Sequence, residues 1–448
     1  MDDHSLQRLD APVPRYTSYP TAPHFQPGVT ADTYGRWLAT IGDGDTLSLY
    51  FHVPFCNTMC WYCGCHTKIV NRYRPVRDYA GLLAREMALV AARIPAAPSI
   101  VHAHWGGGTP TMLRAGDFSR LMAAARRHFR FAADAEVAVE IDPRSLTGPM
   151  ARALARAGVT RASLGVQDVN AHVQEAVNRV QPFAVTERAV RWLRDAGIGA
   201  INLDLMYGLP RQRVEDVVRT VDLVHRLRPD RLAVFGYAHV PWLKAHQRLI
   251  DEDALPDGPQ RMAQMAAAAE RLAGLGYRAI GLDHFAREGD SLARALDEGR
   301  LRRNFQGYTT DRARVLLGFG ASAIGSLRDG YVQNEVPIRA YARAIETGRL
   351  ACVRGVELSD DDRLRRAVIE RLMCGLEVDL RAEARRFGSS ERFAAELAGL
   401  APLAADGLVA IGDGRVRVTE AGRPWMRTVA ARFDRYLERG VARHSRAV

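Results

Sequence analysis

Four of the six cysteines, Cys56, Cys60, Cys63 and Cys65, fall within ten residues of one another. Cys352 and Cys374 lie far off. A disulfide framework spreads its cysteines to staple distant segments, so crowding of this kind points to metal binding or redox work. Soft thiolates select zinc, copper(I) or iron–sulfur clusters. A structural zinc site takes four ligands, usually in two separated pairs. Here Cys56, Cys60 and Cys63 are spaced four and then three residues apart on one stretch, with no second pair elsewhere. Three ligands would leave one iron of a four-iron cluster without a protein ligand. Such an open position is what separates catalytic from structural metal sites.

The cysteines follow an apolar, aromatic run at 47–53, the first of six short strand-like segments, the others being 101–105, 137–142, 161–166, 200–206 and 231–237. Helical patterns lie between them at 78–93, 117–130, 150–157, 185–196 and 214–226. Strands alternating with helices imply βαβ units and a parallel sheet, either open or an incomplete barrel. Polar residues or glycines follow the strands: the glycines of 106–108 with Thr109 and Pro110, Glu140 and Asp142, Gln167 and Asp168, Asp204 with Tyr207 and Gly208, and Tyr237 with His239. Chemistry gathers at that edge in parallel α/β folds, and the cysteines share it.

Residues 1–45 carry Pro12, Pro14, Pro20, Pro23 and Pro27 and read as an extended arm, because each proline fixes φ and removes a donor. Tyr16, Tyr19 and Phe25 suggest that it packs onto the body. A helix at 259–275 and a strand at 277–283 follow the sixth strand. The apolar, Gly-rich run 316–325 reads either as backbone packed close against a ligand or a neighbouring strand or as a tight core turn. Beyond 355 the character changes. Ser359 caps a helix over 360–374, 380–387 and 391–400 are helical, a hairpin turns at Asp413 and Gly414, and 420–437 returns to helix. This suggests a small winged-helix-like domain.

The chain of 448 residues is 47% apolar and 25% charged, with a net charge of +11. These are the proportions of a globular protein. No run approaches the roughly 18 apolar residues of a membrane span, and the first residues lack a secretory pattern, so a cytoplasmic location is expected. The positive charge reflects either an arginine-rich composition or an anionic partner.

Cys56, Cys60, Tyr62 and Cys63 together resemble the signature of the radical S-adenosylmethionine (SAM) superfamily, and residues 106–110 resemble its glycine motif. The match extends further. Residues 15–21, 50–56, Cys65, 105–111, 140–143, 165–168, Asn178 with Arg179, 304–310 and 371–374 are similar to the oxygen-independent coproporphyrinogen III oxidase family, over nearly the whole chain.

The resemblance implies an incomplete (β/α)6 TIM-like barrel at 46–350, with the arm at 1–45 and the helical, winged-helix-like domain at 351–448. It implies a [4Fe-4S] cluster on Cys56, Cys60 and Cys63, with SAM chelating the open iron. One-electron cleavage of SAM would start hydrogen removal from a substrate propionate. Loss of CO₂ and an electron would leave a vinyl group, and two rounds would turn coproporphyrinogen III into protoporphyrinogen IX. Two SAM molecules are implied, contacted by Tyr50, Tyr62, Gly107, Gly108, Thr109, Glu140, Gln167, Arg179, Asp204, Ala238 and Ile324. Tyr62 stands where the family carries Phe. Cys65 is implied to be needed for activity without ligating the cluster; a thiol that merely packs is the alternative.

The substrate carries four propionates, and Arg15, Arg302 and Arg303 are candidates to hold them. A flavodoxin- or ferredoxin-type electron donor and a monomeric state are also implied. A heme-binding chaperone of the same superfamily is the alternative, but the Cys65 equivalent and the tyrosine-rich arm separate this chain from that group. Arg423, Arg427, Arg432, Arg435 and Arg439 form a basic tail interrupted by Asp434 and Glu438, so no nucleic-acid partner is expected.

Overall fold

The computed structural model describes residues 12–437, so Glu438 and Arg439 of the basic tail lie outside the described residues. Twelve strands form one sheet: β1 (Thr46–Val53), β2 (Ser99–Gly107), β3 (Arg130–Ile141), β4 (Arg161–Gln167), β5 (Ala200–Tyr207), β6 (Arg231–Gly236), β7 (Tyr277–Ile280), β8 (His284–Arg287), β9 (Val315–Phe319), β10 (Ile324–Ser326), β11 (Gly330–Asn334) and β12 (Cys352–Glu357). Their spatial order is β12-β11-β10-β9-β1-β2-β3-β4-β5-β6-β8-β7. β1 to β6 are parallel, as the alternation with helices requires. The edge strands β12 and β7 do not pair with each other, so the barrel is incomplete.

Alternation within the strands shows how the sheet is used. In β5, Ile201, Leu203 and Leu205 are buried while Asn202, Asp204 and Met206 are half-buried. The first set faces the surrounding helices and the second faces the barrel's interior cavity, because successive side chains point to opposite faces. β4 repeats the pattern, with Arg161, Ser163, Gly165 and Gln167 facing the cavity. At the centre, Phe51 of β1 stacks on Trp105 of β2 at 4.1 Å and on Phe319 of β9 at 5.1 Å, and all three are fully buried. Each such ring contributes about 1.5–3 kcal/mol by burial alone. This anchors the strand that leads into the cysteines.

Three local expectations change. β9 is a seventh parallel strand, pairing with β1 on the side opposite β2. The Gly-rich run is thus backbone against backbone: a Cβ on Gly318 would come within 2.6 Å of the Ile324 carbonyl oxygen. The arm is not extended throughout. Beyond its last proline, Pro27, residues Ala31–Leu38 form a helix capped by Thr30, and Tyr34, Trp37 and Leu38 enter the barrel's core. The final helix is short, Met426–Ala431 after a 3-10 turn at Arg423–Trp425, because Pro424 fits only a first helical turn.

The C-terminal unit begins after β12, which still belongs to the large sheet. Ser359 and Asp362 form a reciprocal capping box on helix Asp360–Gly375. Helices Leu380–Arg386 and Ala394–Ala405 follow, with a small sheet of Glu377–Asp379, Val409–Gly412 and Arg415–Val418. Asp413 and Gly414 both take positive φ, as the two-residue turn demands. The arm docks here: Tyr16 donates to Asp434 at 3.0 Å, and Arg427 donates to the carbonyls of Pro14 (3.0 Å) and Val13. Arg423 donates to the Gly281 carbonyl and pairs with Glu420, while Arg435 pairs with Asp361.

Candidate active site

The cysteine loop leaves from the end of β1 and returns beside its own start. The Lys68 N–H donates to Pro54 O (2.6 Å) and the Val70 N–H to Cys56 O (3.0 Å). Two other segments hold it from outside. Trp61 N–H donates to Val177 O at 3.0 Å and Asn178 Nδ2 to Met59 O at 2.8 Å. From the other side, Lys244 Nζ reaches Cys65 O (3.0 Å), His246 Nε2 reaches Cys63 O (2.7 Å) and Gln247 Nε2 reaches Tyr62 O (3.0 Å).

The glycine turn lies directly beside this loop. Gly108 N–H donates to Val53 O (2.9 Å) and Thr109 N–H to Phe55 O (2.8 Å). A Cβ on Gly108 would meet Phe55 backbone at 2.7 Å, and Gly107 has φ +107 with the His52 ring 2.5 Å from where its Cβ would be. These two positions admit only glycine without displacement.

All four clustered cysteines line a cavity of about 400 Å³ that runs into the barrel, together with Tyr62, Gly107, Gly108, Thr109, Glu140, Gln167, Arg179 and Asp204. Tyr50, Ala238 and Ile324 stand apart from it. The Tyr50 hydroxyl bonds to His52 Nδ1 at 3.0 Å, Ala238 lines a second cavity on the outer side of β6, and Ile324 packs beside Phe25 and Tyr331.

The sulfurs sit in different fields. The Cys65 thiol and backbone N–H both donate toward Cys63, which holds the Cys63 thiol down at about 6. Burial pushes the Cys56 thiol up to about 11, with Thr109 Oγ1 3.4 Å from its sulfur. Cys60 Sγ accepts from Arg179 Nη1 at 3.4 Å and from Arg144 Nη2 at 3.5 Å. Both arginines also hold Asp142, and against the opposing effect of burial they keep its carboxyl below the usual range. Burial would raise Glu140, but His104 at 3.0 Å and the Gly107 N–H at 3.1 Å outweigh it and hold the carboxyl low. Burial raises Asp204 to about 6, although Ser163 and Asn202 donate to it.

The donor set fits an iron–sulfur cluster and a polar co-substrate. Among the described residues no three Cys, His, Asp or Glu side chains gather around one ion. A four-iron cluster does not ask for that, since each thiolate takes its own iron. Five residues that line the cavity each carry one buried side-chain atom without a hydrogen-bond partner: Arg161 Nη1, Gln167 Oε1, Arg179 Nε, Asn202 Oδ1 and Gln306 Oε1. Each costs about 1–3 kcal/mol unless a ligand satisfies it.

Arg144, His104 and Gln306 were not singled out from the sequence as site residues. Arg144 could have been found, two positions after Asp142 in the same strand end. The clamp of Lys244, His246 and Gln247 has no motif to announce it. Arg15 and Arg303 meet, Arg303 Nε donating to the Arg15 carbonyl at 3.3 Å with both near Asp283, but Arg15, Arg302 and Arg303 do not line one cavity. Arg15 donates to Gly236 O (2.9 Å) and lines the second cavity, of about 720 Å³. Arg302 pairs with Glu370 at 2.9 Å, and Arg303 is buried against Asp283 at 3.6 Å. Those two line a third cavity of about 270 Å³, with Arg312, Arg314 and Arg366.

A parallel αβ barrel with three cysteines and a glycine turn at the ends of neighbouring strands defines a radical SAM enzyme, and residues 50–224 match the radical SAM superfamily. Residues 358–425 match the HemN C-terminal domain. The chain is 53% identical over 97% of its length to the oxygen-independent coproporphyrinogen III oxidase of Bradyrhizobium diazoefficiens, covering 97% of that protein. It is 43% identical to the one from Paracoccus denitrificans, with 99% of each chain covered. The structure of coproporphyrinogen III oxidase (HemN) from Escherichia coli, a radical SAM enzyme, is similar with a TM-score of 0.90 at 39% identity, covering 97% of this chain and 99% of that one. The chain belongs to the oxygen-independent coproporphyrinogen III oxidase family. These likenesses support the enzymatic reading over the heme-binding alternative. A [4Fe-4S] cluster and SAM are the cofactors of this class.

Proposed function

We propose that this chain converts coproporphyrinogen III to protoporphyrinogen IX, turning two propionate side chains into vinyl groups without oxygen. When bound, the reduced cluster and SAM supply the one-electron chemistry that removes a hydrogen atom from the β-carbon of a propionate, after which CO₂ and one electron leave. The observation that carries this reading is the convergence of three thiols, a glycine turn and five residues with unsatisfied buried atoms on one cavity inside a barrel of this family.

Cys56, Cys60 and Cys63 would hold the cluster. Gly107, Gly108 and Thr109 bring backbone close enough to line the methionyl part of SAM. The low Glu140 carboxyl suits an ammonium or ribose hydroxyls, and the free Nε of Arg179 suits a carboxylate. Tyr62 offers an aromatic face to adenine, and Gln167 and Asp204 offer further polar contacts. A second SAM would engage Tyr50, Ala238 and Ile324 through rearrangement or backbone, since these three lie off the cavity. Cys65, a free thiol hydrogen-bonded to Cys63, is the non-ligand thiol needed for turnover.

The third cavity shares Asn304, Phe305 and Thr309 with the first. Its arginines therefore suit the propionates that do not react. Arg15 lines the second cavity instead. The remaining expectations of a cytoplasmic monomer served by a flavodoxin- or ferredoxin-type donor stand with this reading; among the described residues no helix is long and apolar enough to cross a membrane. The test is anaerobic reconstitution with iron and sulfide, followed by joint assay of 5′-deoxyadenosine and vinyl product. SAM cleavage without any vinyl product from coproporphyrinogen III would overturn the substrate assignment.

A further inference from the structure

The three thiols assigned to the cluster meet different donors. Thr109 places a neutral hydroxyl 3.4 Å from the Cys56 sulfur, and Cys65 lies against Cys63. Cys60 Sγ instead meets two guanidiniums, Arg179 Nη1 at 3.4 Å and Arg144 Nη2 at 3.5 Å. Among the described residues, Cys60 is the one of the three whose sulfur has cationic side-chain donors.

The run Asp142-Pro143-Arg144 shows how Arg144 is aimed. β3 ends at Ile141, and Asp142 Oδ1 then accepts the backbone N–H of Arg144 at 3.0 Å, an Asx turn with proline at its centre. The guanidinium folds back onto the same carboxylate, Nε to Oδ1 at 3.0 Å and Nη2 to Oδ2 at 2.6 Å. Such a bidentate pair fixes the guanidinium plane. Among the described residues, Arg144 bonds only to Asp142 and Cys60. Asp142 does not depend on it for a counter-ion, because Arg179 Nη1 already stands 3.4 Å from Oδ2. Two arginines against one carboxylate leave one positive charge in excess beside Cys60. That cysteine is 7% exposed, so water screens the charge little.

Iron–sulfur potentials follow local charge and hydrogen bonds to the ligating sulfurs. One-electron reduction adds a negative charge to a cluster, so a fixed cation at a ligand sulfur favours the reduced form. We propose that Arg144 is a positioning residue of the cluster site: held by Asp142 against the Cys60 sulfur, it raises the cluster's reduction potential and so eases the electron uptake that SAM cleavage requires. The proposal rests on the assignment of the cluster to Cys56, Cys60 and Cys63. Lysine would keep the charge at position 144 but not the fork that reaches carboxylate and sulfur together.

The test is a redox titration of the full chain, reconstituted anaerobically with iron and sulfide and followed by visible absorption as dithionite is added with mediator dyes. Arg144→Gln removes the cation and Asp142→Asn removes its counter-charge, so the two should shift the potential in opposite directions. At the parent's midpoint, the ratio of reduced to oxidised cluster should fall about tenfold in Arg144→Gln, or about 59 mV for one electron, and rise in Asp142→Asn. Arg144→Lys should lie between Arg144→Gln and the parent. Iron content per chain is measured alongside. A ratio within about twofold of the parent's in Arg144→Gln at full iron content overturns the proposal. Shifts of the same sign in Arg144→Gln and Asp142→Asn also overturn it, since packing alone would then explain both. If Arg144→Gln fails to take up iron, Asp142→Asn decides: a raised potential supports the proposal, and an unchanged or lowered one overturns it. A parent chain whose visible absorption shows no reducible iron would overturn the cluster assignment itself.

Discussion

Arg179 donates to the sulfur of Cys60 at 3.4 Å, joining residues 119 apart in the chain. The same guanidinium meets Asp142 at 3.4 Å and donates to Gly165 O at 2.6 Å, while its Nε is buried without a partner. It is therefore rigidly aimed. Arg179→Lys keeps the charge but loses the planar fork, and SAM affinity should fall about 10- to 100-fold, or about 1.4–3 kcal/mol. Titration calorimetry on the reconstituted protein measures this. Unaltered affinity would remove Arg179 from the SAM site.

Cys65→Ser should retain the cluster's visible absorption and its iron content, because the three ligands are untouched. Turnover should fall about 100-fold or more, the scale of a lost acid–base or positioning group. Loss of the absorption band would show instead that Cys65 holds iron.

Gly108→Ala places a methyl group against the backbone of Phe55, which cannot swing aside as a side chain could. Glycine turn and cysteine loop should separate, at a cost of about 1–3 kcal/mol in stability. Iron uptake and SAM binding should weaken together. A variant with the parent's melting temperature and iron content would contradict the close packing described.

Glu86 predicts a pH dependence. It is buried and accepts from Gly320 N–H (2.7 Å), Asn334 Nδ2 (2.6 Å) and Tyr341 OH (2.7 Å). Burial nevertheless raises its carboxyl from 4.5 to about 7. The folded protein thus keeps a proton that the unfolded chain releases earlier. Stability from this group is full below pH about 4.5, declines as pH rises and is lost through pH about 7, a change of about 3 kcal/mol. Glu86→Gln should flatten that decline in thermal unfolding measured across the window. Parallel curves for parent and variant would refute it.

The six parallel strands were legible because each apolar run is short and bounded by a helical pattern. β9 was not, because Gly318 and Gly320 dilute its strand character, and only pairing with β1 reveals it. Helix Ala31–Leu38 was hidden by the prolines before it. The cavity collected Glu140, Gln167 and Asp204 because they lie on neighbouring parallel strands whose ends share one edge, which sequence order alone implies; Arg179, after helix Ala171–Ala176, is not on a strand. The cavity did not collect Arg15, since a side chain's facing on a non-repetitive arm has no periodicity to read. The loop's braces at 244–247 were illegible for a similar reason: their hydrogen bonds go to main-chain carbonyls, which impose no residue pattern.

The arm's moorings span nearly the whole polypeptide. Tyr16 reaches Asp434 across 418 positions, and Arg427 reaches Pro14 across 413. On the ribosome, Tyr16 emerges 418 residues before the Asp434 that it bonds to. The barrel and its cysteine loop lie wholly between these moorings, so the loop is complete for metal insertion before the arm can dock.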